Sequence, residues 1–371
     1  MVVVVGEKSG DILGFQLISE IKKYLSNVKF FGISGEEMKK TNMVSWYNTK
    51  DLAIMGIFEV FFSLKKILKI RKNIINQIKK IKPDIFIGID FPEFNFSIEK
   101  IVKKFGIPVV HYVSPTVWAW RKKRIINMQK FIDKIFLLFP FEKEIYKNYS
   151  IPYEFVGHCL AKNYPIYYKK KEKKNFRLLI LPGSRKQEIR YVIPTFLKCA
   201  KLLKKKIKKI EIFILFGTEE IKKIIINKKN KITPDLSVQI VQFSKEVLLS
   251  GDFALVTSGT ATLECMLAKC PMIVGYKMNF FSYLIVRMLI KIKWISIPNI
   301  LAKKKIVKEF VQFRLCYKNL FKETITLLSN KKKIDSMKKE FTKLHKSILR
   351  NTNKKLAFSI ISMIYKNKKC L

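Results

Sequence analysis

Residues 2–25 read VVVVGEKSGDILGFQLISEIKKYL. Four consecutive β-branched residues predict a strand buried on both faces, as in a parallel sheet. Gly6 to Asp11 then supplies a turn, and from Ile12 to Leu25 apolar side chains recur at the three- and four-residue spacing of an amphipathic helix. The same unit recurs along the chain. Val28–Ile33, Ile85–Ile89, Val109–Val113 and Ile135–Phe139 are further short apolar runs, separated by lysine-dotted helical stretches such as Ile67–Ile81. Strands alternating with helices define βαβ units and an α/β, doubly wound sheet.

Residues 168–175, YKKKEKKN, interrupt this pattern with no apolar anchor. It then resumes with Arg177–Leu181, Ile210–Leu215, Val238–Phe243, Phe253–Val256 and Met272–Val274. The expected organisation is two Rossmann-like domains, residues 1–168 and 169–340, followed by a helical, lysine-rich tail, 341–371, that packs back on the first domain or on a partner. At 371 residues the chain exceeds what one hydrophobic core usually holds, in keeping with two domains.

Composition narrows the function. The formal charge is +46, yet only nine of the 74 basic residues are Arg. Proteins that read bases or phosphates lean on Arg for bidentate contacts, so nucleic acid is not the expected partner. What the lysines do provide is a positive field that holds the chain near anionic surfaces. The six cysteines form no CxxC pair and no His lies at metal-ligand spacing, so scattered reduced thiols and no metal are expected. The opening MVVVVGEKSG has no basic and apolar leader with a cleavage site, and no charge-free run reaches the ~18 residues needed to span a bilayer. Met278–Ile292, broken by Arg287 and Lys291, reads as a surface-lying or buried helix.

In open α/β sheets ligands bind beyond the carboxyl ends of the strands, so residues that follow strands are the candidates. Gly6-Glu-Lys-Ser9-Gly10-Asp11 presents backbone N–H groups to an anion or a sugar, or is simply a tight turn; it is neither GxGxxG nor a P-loop. Asp90, in IFIGIDFPEFN (residues 85–95), ends an apolar strand, where a carboxylate serves either as a general base or as a helix cap. Glu93 and Asn95 stand close enough in sequence to orient a hydroxyl. His111, in VVHYVSPTVWAWR (109–121), is a second base, a phosphate contact or a structural histidine, and His158 carries the same alternatives.

In the second half, Pro182-Gly183-Ser184-Arg185 after one strand and Thr257-Ser258-Gly259-Thr260 after another both read as anion sites, and together they point to a nucleotide diphosphate. Glu264, one turn into the following helix, is placed to accept from ribose hydroxyls. The segment Leu52–Ile70 carries Ile57, Phe58, Phe61 and Phe62 on a broad apolar stripe beside Lys65, Lys66 and Lys69. That pattern fits a bilayer interface or, equally, a helix facing the core.

In chain order, GEKSGD, LAIMGIFEV, KPDIFIGIDFPEFN, HYVSPTVWAWR, FLLFPFEK, FVGH, LPGSRKQEI, SGTATLECMLAKCPMIVGYKM, SIPNILA and VKEFVQ resemble the lipid-A-disaccharide synthase family, glycosyltransferase family 19 of Gram-negative bacteria. The resemblance covers nearly the whole chain. It implies the glycosyltransferase B fold, with the active site in the cleft between two Rossmann-like domains and no cofactor. It implies condensation of UDP-2,3-diacylglucosamine with 2,3-diacylglucosamine 1-phosphate to the β-1,6-linked disaccharide 1-phosphate and UDP. Asp90 matches the family's general base and Arg185 an arginine at the donor diphosphate. SGTATLE matches its nucleotide turn and SIPNI, with Asn299, the neighbouring loop. Peripheral attachment to an anionic inner-membrane surface from the cytoplasmic side, and dimers with exchanged C-terminal elements, are also implied. Another UDP-sugar enzyme of the fold, such as the peptidoglycan lipid-intermediate glycosyltransferase, is the nearest rival, but it would carry a GGTGGH-like first turn where this chain has GEKSGD.

Overall fold

The computed structural model describes residues 1–52, 60–117, 124–168, 174–289 and 292–369, with the side chains of 60–64, 368 and 369 left out. The chain forms two compact units: Met1–Cys159 with Ile348–Leu371, and Leu160–Ser347.

The first unit holds strands β1 (Val2–Val5), β2 (Phe31–Ser34), β3 (Val44–Asn48), β4 (Phe86–Ile89), β5 (Val109–Tyr112), β6 (Lys134–Leu137) and β7 (Tyr153–Phe155). They form one parallel sheet in the order β3-β2-β1-β4-β5-β6-β7. The second unit holds β8 (Phe176–Leu181), β9 (Ile210–Phe216), β10 (Gln239–Gln242), β11 (Phe253–Thr257), β12 (Met272–Tyr276) and β13 (Lys308–Val311), parallel in the order β10-β9-β8-β11-β12-β13. Both are doubly wound sheets, as the alternation of strands and helices predicts. Strand order reverses between β1 and β4 in one sheet and between β8 and β11 in the other. At these switch points the flanking loops diverge and open a crevice.

Three strands escape the sequence pattern: β3, β7 and β13. Each ends a sheet, pairs on one side only and stays partly exposed, so VSWYN, YEF and KEFV show no apolar run. Elsewhere periodicity and packing agree. Ile70, Ile74 and Ile78 of helix Val60–Ile81, and Phe94, Ile98 and Val102 of helix Pro92–Lys104, fall one turn apart and enter the same core as Val2 and Val4. Burying each such side chain contributes about 1.5–3 kcal/mol.

The division between units falls at Cys159, not at the lysine run near residue 170, and hydrogen bonds explain why. His345 donates from Nε2 to the Ala161 carbonyl at 2.7 Å, and Lys269 donates from Nζ to the Pro165 carbonyl at 2.7 Å and to His345 Nδ1. Residues 160–165 are thereby tied to the second unit. At the other end of the chain, helix Thr352–Lys369 buries Leu356, Ala357, Ile360 and Ile364 and packs on helix Lys8–Ile21 of the first unit. No described helix is long and apolar enough to cross a membrane.

Candidate active site

The candidates gather at the two switch points, and each unit holds its own set. In the first unit, Asp90 follows β4 and Phe91 follows it, with backbone φ of +52° and +48°. Two successive left-handed residues without glycine store on the order of 1–3 kcal/mol each, a strain that marks a site held in place by its surroundings. Asn95 does the holding. Its Nδ2 donates to the Asp90 carbonyl at 2.7 Å and reaches the Val4 carbonyl at 3.4 Å, while the Asp90 N–H donates to the Tyr112 carbonyl at 2.9 Å. Asn95 is fully buried, and its amide shapes the turn that carries Asp90.

The GEKSGD turn after β1 lies against this one. A Cβ on Gly6 would sit 2.3 Å from the Phe91 ring, so only glycine fits, and Gly10 packs near the Ile89 carbonyl. Ser9 is exposed at the start of helix Lys8–Ile21. Asp11 departs from its expected sugar-facing role: it is buried and accepts from the N–H groups of Gly35 (2.8 Å), Glu37 (2.8 Å) and Met38 (3.1 Å). Its carboxylate fastens the start of the short helix Glu36–Lys39 to the first helix. Glu93 is exposed and pairs with Arg124 at 3.0 Å.

His111 also turns inward. It lies within β5, is fully buried, and places Nδ1 2.7 Å from Glu99 Oε1. Of its three alternatives the structural one matches this position. His158 is buried beside the Phe139 ring, and burial pushes its imidazole down to about 4, so it is neutral at pH 7.

One group at this end of the sheet has no strong sequence signal. Glu142 lies in FLLFPFEK, is buried, accepts from the Phe139 N–H at 2.9 Å, and is pushed up to about 8 by burial, against the lowering effect of the Phe139 and Leu138 amides and the Ser114 hydroxyl. The Ser114 and Tyr146 hydroxyls are 2.8 Å apart beside it. Its apolar neighbours were legible; the carboxyl turned among them was not.

In the second unit, the turn after β8 meets the end of β11. Gly183 takes φ +107°, a conformation that disfavours any side chain, and a Cβ there would sit 3.5 Å from Thr257. Ser184 and Arg185 are exposed, and Arg185 stands at the amino end of the 21-residue helix Lys186–Lys206, 3.1 Å from Glu188. After β11, Gly259 (φ +144°) leads into helix Thr260–Leu267, whose amino end also faces this crevice. Two helix amino ends and one guanidinium at one switch point favour an anion.

The SIPNI loop is stapled beside this turn. Ser258 Oγ donates to the Ile295 carbonyl at 2.7 Å and the Ile297 N–H donates to Thr262 Oγ1 at 3.2 Å. Glu309, within β13 and without a strand-end signal in the sequence, accepts from Ile295 N, Ser296 N, Ser296 Oγ and Asn299 Nδ2 at 2.6–3.1 Å. Asn299 was expected at the nucleotide, but it is fully buried and spends its amide on Val307 and Glu309 as donor and on the Ile306 and Val307 N–H groups as acceptor. It supports the loop from behind. Glu264 is held up at about 7 by burial and accepts from the Tyr164 hydroxyl at 3.4 Å.

Of the expected lipid-facing residues, Ile57 and Phe58 and the side chains of Phe61 and Phe62 lie outside the described residues. Lys65, Lys66 and Lys69 are exposed on helix Val60–Ile81.

Two parallel sheets, each with its candidate residues at its own switch point, define the glycosyltransferase B fold. Solved structures share this architecture: UDP-GlcNAc 2-epimerase from Neisseria meningitidis bound to UDP-GlcNAc (TM-score 0.62, 12% identity, 98% of this chain and 99% of that one) and Acinetobacter baumannii MurG (TM-score 0.60, 13% identity, 97% and 98%). At such identities the likeness is one of fold. The family profile for lipid-A-disaccharide synthetase matches residues 1–360. Lipid-A-disaccharide synthase of Wigglesworthia glossinidia brevipalpis is 45% identical over 98% of this chain and 97% of its own length, and that of Escherichia coli K12 is 37% identical over 97% of each. The chain belongs to the lipid-A-disaccharide synthase family.

Proposed function

We propose that this chain condenses UDP-2,3-diacylglucosamine with 2,3-diacylglucosamine 1-phosphate, releasing UDP and the β-1,6-linked disaccharide 1-phosphate of lipid A biosynthesis. The observation that carries the assignment is Asp90, set at the β1/β4 switch point in a strained turn that Asn95 clamps. Asp90 takes the proton from the acceptor 6-hydroxyl, whose oxygen attacks the anomeric carbon as UDP departs from the opposite face, so configuration inverts. Arg185 and the N–H groups of the Ser258–Thr260 turn receive the charge that builds on the departing diphosphate, with Gly183 and Ser184 lining the same turn. Losing one such donor typically costs about 3 kcal/mol of barrier. Glu264 accepts from the ribose. No step needs a metal or cofactor.

Both substrates carry acyl chains, so the enzyme works at the cytoplasmic face of the inner membrane, drawn there by its positive field, and homodimerises. The basic helix that begins at Val60 serves the acceptor side. The peptidoglycan lipid-intermediate reading is not favoured, since the family match extends over residues 1–360 while MurG shares the fold at 13% identity.

Turnover in detergent micelles with the two lipid substrates tests the assignment, comparing wild type with Asp90→Asn. Disaccharide 1-phosphate from wild type and a loss of at least about a hundredfold in the variant are expected. Full activity in the variant removes Asp90 as the base, and no product from folded wild type removes the substrate assignment.

A further inference from the structure

Helix Phe280–Leu289, which leaves the carboxyl end of β12, inverts the usual amphipathic arrangement: none of its residues is buried. Phe281, Leu284, Ile285, Met288 and Leu289 recur at three- and four-residue spacing and form one continuous stripe, exposed at 73%, 40%, 54%, 75% and 52%. Phe313, 74% exposed, extends the stripe through an edge contact with Phe280 at 5.9 Å between ring centres. An apolar patch of this size on a water-soluble surface marks an interaction site.

The patch is rigidly presented. The Phe281 N–H is capped by Asn279 Oδ1 at 3.0 Å. Buried Gln312 accepts from the Met278 N–H at 3.2 Å and donates to the Met278 carbonyl at 2.9 Å, tying the helix start to the turn that carries Phe313.

Charge identifies the occupant. Between Glu264 and Glu309 the chain has no acidic residue, while Lys277, Arg287, Lys293 and Arg314 flank the stripe in sequence. Arg287, Lys293 and Arg314 are exposed. A protein partner would be expected to meet some charge of each sign; an apolar helix in a 44-residue acid-free segment whose exposed charges are cationic matches the acyl region and anionic headgroups of a bilayer. We infer that helix Phe280–Leu289 with Phe313 is a bilayer-inserting surface of the nucleotide-binding unit, separate from the basic helix of the first unit. It rests on the function proposed above only in taking the substrates to be lipids. Its place beyond the strand ends, on the side of the Ser258–Thr260 turn, lets the donor's sugar nucleotide enter that unit while its acyl chains stay in the membrane.

The test is partitioning onto vesicles of phosphatidylethanolamine with roughly one phosphatidylglycerol in four, at low salt and at about 0.5 M salt, where screening removes most surface attraction. The variant is Phe281→Ser/Met288→Ser/Phe313→Ser, which leaves the charge unchanged and alters three side chains that are mostly in water. Wild type stays bound at high salt and the triple variant loses at least about tenfold in partitioning. Separately, a Phe281→Trp variant shows a blue-shifted, lipid-quenched emission with brominated vesicles. Equal partitioning of wild type and triple variant, or no quenching at position 281, overturns the inference. So does a triple variant that dissociates in sedimentation velocity with vesicle binding unchanged, which makes a second copy the occupant. Turnover in micelles keeps the two ideas apart: lost vesicle binding with normal micellar turnover bears on the surface alone, and absent turnover with normal binding bears on the reaction.

Discussion

Replacing Glu142 by Gln isolates the cost of a buried acid. In the folded chain the Glu142 carboxyl is raised from 4.5 to about 8, chiefly by burial. Between those two pH values the unfolded chain has released the proton and the folded chain keeps it, so stability falls as pH rises. At about 1.4 kcal/mol per pH unit the upper bound is about 5 kcal/mol, fully developed above pH 8, and local relaxation brings the expected value to roughly 2–5 kcal/mol. Gln keeps an oxygen for the Phe139 N–H and does not titrate. The variant therefore matches wild type near pH 5 and exceeds it above pH 8 by roughly 5–15 °C in the melting of the first unit. Calorimetry of both proteins from pH 5 to 9 gives the difference directly, because every other titrating group cancels. Parallel curves across that range would show that the carboxyl reaches water when ionised and that the argument from burial is wrong.

Asp11→Ala strips three backbone N–H groups of their acceptor in a buried setting, at about 1–3 kcal/mol each, so urea unfolding shifts by several kcal/mol. The KM for either lipid substrate, measured at low temperature, stays within about twofold if the carboxylate only fastens the two helices; a large rise would restore it as a substrate contact. Gly6→Ala drives a methyl into the Phe91 ring and must displace the turn that carries Asp90. We expect kcat to fall at least about tenfold with thermal stability lowered by only about 1–3 kcal/mol, and unchanged kcat would show that the two turns are not coupled.

Most of the architecture is legible because both sheets are buried on two faces, which forces β-branched runs such as Val2–Val5 and leaves helices with one apolar side. Three of the four edge strands are not, since a strand paired once needs no such run. The candidate site was legible in position but only partly in role. Asp90, Arg185 and the Ser258–Thr260 turn stand at strand ends, as expected. Asp11, Asn95 and His111 stand at or just after strand ends in sequence, and Asn299 in the SIPNI loop, yet the chain turns their side chains inward onto backbone groups and, for His111 and Asn299, onto Glu99 and Glu309. A polar residue next to a strand end serves either the ligand or the loop that holds it, and the choice depends on a rotation that one-dimensional spacing does not encode. Glu142 and Glu309 are hard to read for the complementary reason: most of their partners are backbone N–H and hydroxyl donors, and a backbone donor has no residue identity to recognise.

The first unit is assembled from the two ends of the chain, with the second unit inserted between Cys159 and Ile348. During synthesis the second unit can therefore finish folding while the first still lacks a wall. The face of helix Lys8–Ile21 that receives helix Thr352–Lys369 stays open to water until that helix leaves the ribosome. An incomplete chain, however well its second unit is formed, carries a first unit with a greasy gap in it. Loss of the final helix is then felt first as exposed apolar surface and protease sensitivity at the opposite end of the sequence.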